Sequence, residues 1–125
     1  VISIDIETTG LDFLRDTMQT ITLGFMLNGE VKCIVIPWIH RESPWTPEAL
    51  IAIAEAINRL TSAEWIRKVL QNGKFDMKFC IPEGIIDWKN VWDTMLMQSL
   101  TDETQRKSLS DMVRNNFPEY LERLI

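Results

Sequence analysis

The chain is poor in the residues from which zinc and redox sites are built. It has one histidine, His40, and two cysteines, Cys33 and Cys80, in 125 residues. The cysteines are isolated, so neither a CxxC zinc motif nor a disulfide framework is supported, and a reducing, cytoplasmic setting is the expectation. No apolar run reaches the ~18 residues that would cross a bilayer, so no membrane contact is expected. The opening Val1-Ile2-Ser3-Ile4-Asp5 lacks the basic region and cleavage site of a secretory leader and reads instead as a strand. There is no internal repeat, low-complexity tract or flexible linker, and the length suits one domain, residues 1–125, around one core. Because the first residue is valine rather than methionine, the chain is expected to be part of a longer polypeptide. Basic residues are also in deficit: 13 Lys and Arg against 18 Asp and Glu give a net charge of −5. That argues against a module gripping nucleic acid by bulk electrostatics. A site that reaches phosphate through cations remains open, since such a site must concentrate carboxylates.

What is present alternates strand and helix. Val1 to Ile6 is a short apolar run suited to a strand buried on both faces, and Thr8-Thr9-Gly10 breaks it. Thr20 to Leu27 and Val31 to Ile36 form two further strands, joined at Asn28-Gly29, whose residue types fit a type I′ turn with positive φ at both positions. Thr46 caps a helix with Pro47 at its first position and an apolar stripe of Leu50, Ile53, Ile57 and Leu60. A strand follows from about Ile66 to Gln71, parallel to the first, and then a helix from Phe75 to Cys80. Gly84 to Val91 reads as a strand leading to Asp93, which caps another helix, and Ser108 to Ile125 is helical with a break at Phe117-Pro118. The pattern predicts an α/β domain with a mixed sheet. The five tryptophans have no regular spacing and are expected to be core or loop anchors.

Two segments carry chemistry. In Asp5-Ile6-Glu7, period-two geometry puts both carboxylates on one face of a strand, about 7 Å apart. Such a pair repels unless a cation bridges it, and hard divalent ions such as Mg²⁺ or Mn²⁺ favour these ligands. A solvated strand end is the competing reading. Leu11 would lie beside the carboxylates, where a base could rest, or anchor the loop in the core. The second segment, Asn72-Gly73-Lys74-Phe75-Asp76, leaves a strand and enters a helix. Asp76 there suits the helix dipole. It could equally converge with Asp5 and Glu7, because sites in open α/β sheets form beyond the carboxyl ends of strands. Phe75 could stack on a base or fill the core. Lys74 and Lys78 could touch phosphate or simply be solvated.

Asp5-Ile6-Glu7-Thr8-Thr9-Gly10-Leu11 resembles the first motif of the DEDD (DnaQ-like, ribonuclease H-like) exonucleases, and Asn72 to Asp76 resembles their second, Asn-x-x-(Phe/Tyr)-Asp. Trp92 to Leu96, followed by Lys107-Ser108-Leu109, is similar to the segment after it in family A DNA polymerases. The resemblance implies a ribonuclease H-like mixed sheet flanked by helices. It also implies a 3′→5′ exonuclease acting on single-stranded DNA 3′ ends by a two-metal-ion mechanism, proofreading for a fused or separate polymerase domain. By it Asp5, Glu7 and Asp76 would hold two Mg²⁺ or Mn²⁺ ions and act in catalysis, Thr8 and Leu11 would contact the terminal nucleotide, and Asn72 and Phe75 would support the strand. The family's third motif, Tyr-x-x-x-Asp or His-x-x-x-x-Asp, is not found: Tyr120 is followed four places on by Leu124, and His40 five places on by Trp45. Asp93 is read as a helix cap and not as the missing ligand. The C-terminal part of the domain is therefore expected to be missing. An inactive domain with a structural or primer-binding role, and an RNA-trimming nuclease, are the alternatives.

Overall fold

The computed structural model describes residues 1–123. Strand β1 (Ile2–Thr8) pairs antiparallel with β2 (Met18–Leu27), which pairs antiparallel with β3 (Glu30–Pro37). Helix α1 (Pro47–Ser62) crosses to β4 (Lys68–Leu70), which lies parallel to β1. Helix α2 (Gly73–Cys80) leads by a 3₁₀ turn (Ile81–Glu83) to β5 (Val91–Asp93), parallel to β4. Helices α3 (Thr94–Thr101) and α4 (Leu109–Asn116) follow, then a 3₁₀ segment (Pro118–Arg123). The sheet order is β3-β2-β1-β4-β5. No helix among the described residues is long and apolar enough to cross a membrane.

Turn and cap chemistry explain the boundaries. Asn28 and Gly29 have φ of 51° and 79°, the left-handed conformation that the hairpin requires of both. The Thr46 hydroxyl accepts the Ala49 amide at 3.1 Å, with Pro47 opening the helix behind it. The buried Lys68 ammonium closes the α1–β4 connection by donating to the carbonyls of Ala63 and Ile66, the carbonyl-rich end of a helix where a cation is favoured.

The core lies on one face of the sheet. Ile4, Ile6, Ile21 and Leu23 meet Ala54 and Ile57 of α1 and Phe79 of α2, each large side chain contributing roughly 1.5–3 kcal/mol by burial. Register follows from this. A one-residue slip of β1 would turn Ile4 and Ile6 outward and drive Asp5 and Glu7 into the core.

Several expectations need correction. The first strand is not buried on both faces: Ile4 and Ile6 are buried under the core helices while Ser3, Asp5 and Glu7 are exposed, Thr94 and Leu109 of α3 and α4 leaving an open pocket beside Ser3 and Asp5. Gly84 to Val91 is not a strand. Only Val91–Asp93 pairs, and the preceding residues are fastened by other means, Asn58 Oδ1 accepting the amides of Ile86 and Asp87. The strand expected over Ile66–Gln71 shortens to Lys68–Leu70. Trp38 is a core residue and Trp45 a loop anchor, donating to the Pro37 carbonyl at 2.8 Å, but Trp65 is 86% exposed. The C-terminal stretch is helical and breaks at Phe117 as expected; its last two residues, 124 and 125, lie outside the described residues.

Replacing Thr46 with alanine should lower stability by about 1 kcal/mol through loss of the cap. Trp65→Ala should stay within about 0.5 kcal/mol, as surface changes do. Urea unfolding of both variants against the parent chain measures this directly.

Candidate active site

Strand β4 ends at Leu70, one residue beyond the Ser3–Val69 pair, while its parallel neighbour β1 runs on to Thr8; carboxylates lie on that further stretch of β1 and on the segment after β4. On β1, Asp5 and Glu7 project from the face opposite the core, and the pairing with β2 shifts register between Glu7 and Thr8. A bulge of this kind bends the strand and re-aims its side chains. The loop that follows is folded on itself. The Asp16 carboxylate accepts the Thr9 hydroxyl at 3.1 Å and the Asp12 amide at 3.0 Å, while Thr9 and Thr17 bond through their backbones. Gly10 leaves room for the Asp16 carboxyl group, which a Cβ at that position would displace from these bonds. The Thr8 hydroxyl donates to the Gly10 carbonyl at 2.6 Å, keeping only its acceptor capacity for another partner.

On the other side, Asn72 takes a left-handed conformation (φ 57°) and α2 begins at Gly73. Asp76, in the first turn, is 4% exposed, and its Oδ2 has no hydrogen-bond partner. Burial pushes its pKa up to about 7, and the negative charges of Asp5, Asp93 and Glu7 push in the same direction. These four acids are thus coupled across two strands, β1 and β5, and the helix α2. Among the described residues, however, no three His, Cys, Asp or Glu side chains are already drawn together as a closed cation cage. The arrangement is a cluster of acids around one orphaned buried oxygen, which a divalent cation fits chemically. Cys80, buried one turn beyond Asp76, is held as the thiol: burial, Asp76 and Glu83 raise its pKa to about 12.

Asp93 proves to be more than a cap of its own helix. It accepts the Met95 amide at 2.9 Å, the expected N-cap of α3, but also the Asn72 amide at 3.1 Å on Oδ1 and the Gly73 amide at 2.7 Å on Oδ2.

A cavity of about 230 Å³ lies between the loop after β1 and α2, lined by Leu11, Phe13, Asn72, Lys74, Phe75, Lys78 and Phe79. Leu11 is 86% exposed, so it does not anchor the loop in the core. Phe75 packs against the core cluster and on Phe79, ring centroids 4.9 Å apart, and it also lines the cavity. Phe13 was not singled out from the sequence. The Lys78 ammonium stands 5.2 Å from its ring centroid, a cation–π distance. Its only sequence signal is its place two residues beyond Leu11.

Comparison with known proteins bears on this arrangement. A family model described as 3′-5′ exonuclease (DNA_pol_A_exo1) matches residues 1–121. No curated protein sequence matches significantly. Among solved structures, the fold is similar to Brucella melitensis NrnC at 21% identity, both in a form bound to pGG (TM-score 0.67) and in one with bound Mg²⁺ (TM-score 0.65), covering 94% of this chain and 52–53% of NrnC. It is also similar to the Aedes aegypti Nibbler EXO domain (TM-score 0.63, 14% identity, 94% of this chain and 58% of that one) and to Exonuclease I (TM-score 0.61, 15% identity, 92% and 36%). The chain spans about half the length of the first of these. With a mixed five-stranded sheet of ribonuclease H-like exonuclease type and a family match over nearly its whole length, the chain belongs to the 3′-5′ exonuclease family.

Proposed function

We propose that this chain carries the divalent-cation ligands and the terminal-nucleotide pocket of a 3′→5′ exonuclease acting on single-stranded DNA ends, working with a polymerase domain. The observation that carries the reading is the orphaned, buried Asp76 oxygen, which feels the charges of the β1 acids, on the same helix whose Lys74, Phe75 and Lys78 line a cavity of aromatic, apolar and cationic side chains. The family match supports it, as does the fact that NrnC, of similar fold, has been seen with Mg²⁺ and with pGG.

Asp5, Glu7 and Asp76 would hold the cations. When bound, two such ions activate a water for attack and neutralise charge on the attacked phosphate and leaving oxygen. The other residues bind and orient. Leu11 and Phe75 offer apolar and aromatic faces to a base, Asn72 and Thr8 offer polar atoms to the sugar and backbone, and Lys74 and Lys78 offset phosphate charge. The cavity is smaller than the ~300–1,000 Å³ that drug-sized ligands occupy, which suits a single base. Two ions between phosphate and protein call for roughly four carboxylates, whereas this reading assigns three, Asp93 being committed to the backbone amides of Asn72, Gly73 and Met95.

Digestion of a 5′-labelled DNA oligonucleotide with Mg²⁺, resolved on a gel, is expected to shorten it from the 3′ end. The chain alone should be slow, a longer protein supplying a fourth carboxylate at least ~100-fold faster, and Asp5→Ala or Asp76→Ala of that protein slower by a similar factor. A matched RNA oligonucleotide digested in preference to DNA would point to the trimming reading. Endonucleolytic products, or indifference to both substitutions, would reject the assignment.

Asp76 also sets a pH dependence. Its folded pKa lies above its unfolded value, so the folded state binds the extra proton and stability is lost as pH rises from about 4 through about 7. Without divalent ions, Asp76→Asn should therefore raise Tm at pH 8 by a few degrees, equivalent to ~1 kcal/mol in a domain this small. The gain should vanish near pH 4. Saturating Mn²⁺ should stabilise the parent chain and leave the variant unmoved. Thermal melts in chelator and in Mn²⁺ read all three.

A further inference from the structure

We propose that Asp93 is the positioning residue of the site: it holds neither cation nor substrate, and fixes where Asp76 stands by fastening the start of α2. The inference rests on the functional reading above and concerns a residue whose sequence signal was only that of a cap for α3.

The geometry assigns the role. The parallel register pairs Leu70 of β4 with Asp93 of β5, so the chain leaving β4 passes directly beside the Asp93 side chain. Within two residues it must turn through the left-handed Asn72 into α2. The first amides of a helix have no partners inside it, and the Asn72 side chain does not supply one. Asp93 supplies both: Oδ1 accepts from Asn72 and Oδ2 from Gly73, while Oδ1 also caps α3 through Met95. One carboxylate on a neighbouring strand thus organises the starts of two helices. Bonds from amides to a charged acceptor are about twice as strong as neutral ones, and a negative charge at a helix start is further favoured by the dipole. Gly73 permits the close approach, for a Cβ there would already meet Leu70 at 3.0 Å.

The consequence falls on Asp76. Helix α2 has eight residues, about two turns, far below the ~12–15 needed for a helix to persist unaided. Its orientation is set by burial of Phe79 and Cys80 at its far end and by Asp93 at its near end. Asp76 lies in the first turn, next to the Asp93 attachment, so loosening that attachment swings the one buried carboxylate of the cluster. Sites of this kind tolerate displacements of only ~0.5 Å. Asp93 is also less suited than Asp76 to be a ligand itself, because Oδ1 already accepts two amides and a cation at Oδ2 would compete with the Gly73 amide for that oxygen.

The test uses the chain and its Asp93→Asn and Asp93→Ala variants, the first keeping one acceptor oxygen in case the second fails to fold. Amide exchange by NMR should quicken about 10-fold at Asn72 and Gly73 in Asp93→Ala, as for loss of bonds to a charged acceptor. Mn²⁺ affinity, by calorimetry, should fall about 10–100-fold, the usual cost of losing a partner outside the ligand set. Asp93→Asn should recover part of both. Asp76→Ala should lose Mn²⁺ binding with exchange at Asn72 and Gly73 unchanged. Loss of Mn²⁺ binding in Asp93→Asn with those amides still protected would make Asp93 a ligand and overturn the proposal. So would unaltered affinity with the amides exposed. If the parent chain binds no Mn²⁺, the functional reading fails on its own. Residual dipolar couplings over Lys74–Met77 still decide the positioning role, supporting it if α2 reorients in Asp93→Asn and overturning it if not.

Discussion

A carboxylate removed from water beside other carboxylates cannot remain charged without compensation, and this condition organises the functional end of the molecule. Asp76 is buried with one oxygen unpartnered, and the acids that surround it belong to elements distant in sequence. Either a proton or a cation must answer that charge. The fold accepts the cost because it is confined to one place. The rest of β1 is fixed by Ile4 and Ile6 in the core, and the same alternation that buries them turns Asp5 and Glu7 out of it, where their charges act on Asp76. The register that secures the core therefore also assembles the cluster.

The surroundings divide the remaining work. Acids gather at the strand ends, while the cavity has aromatic walls and two lysines on α2. On the proposed function, that separation would let a chain with a net charge of −5 approach a polyanion: attraction would be local, supplied by Lys74, Lys78 and the cations the acids would hold, and not a property of the whole surface. Asp93, at the end of β5, fastens the start of α2, the helix that carries Asp76 and both lysines.

Much of this was legible in the sequence where local chemistry decides the outcome. The Asn28-Gly29 hairpin, the Thr46 cap and the strand-end Asp5-Ile6-Glu7 each need only a few consecutive residues, and each formed as read. Failures came where tertiary context decides. Strand β1 looked like a doubly buried run because composition cannot say whether a helix will cover its second face. The stretch Gly84 to Val91 has strand-like residues but is held by Asn58, a contact between residues 28 and 29 positions apart. Trp65 is exposed although its composition suggests an anchor. In the site, Phe13 and the second set of bonds made by Asp93 depend on how a loop and two strands come together, and no spacing rule encodes that.

The central claim is that Asp5, Glu7 and Asp76 share bound divalent cations. Anomalous scattering from crystals of the protein grown with Mn²⁺ and a short oligonucleotide tests it most directly. The account predicts manganese in contact with carboxylate oxygens of all three residues, near the ~2.0–2.1 Å typical of small hard cations, with the substrate's 3′ end beside it and Asp93 still bonded to the Asn72 and Gly73 amides. Manganese bound elsewhere, or an Asp76 that stays protonated and turned away from an occupied Asp5–Glu7 pair, would contradict it.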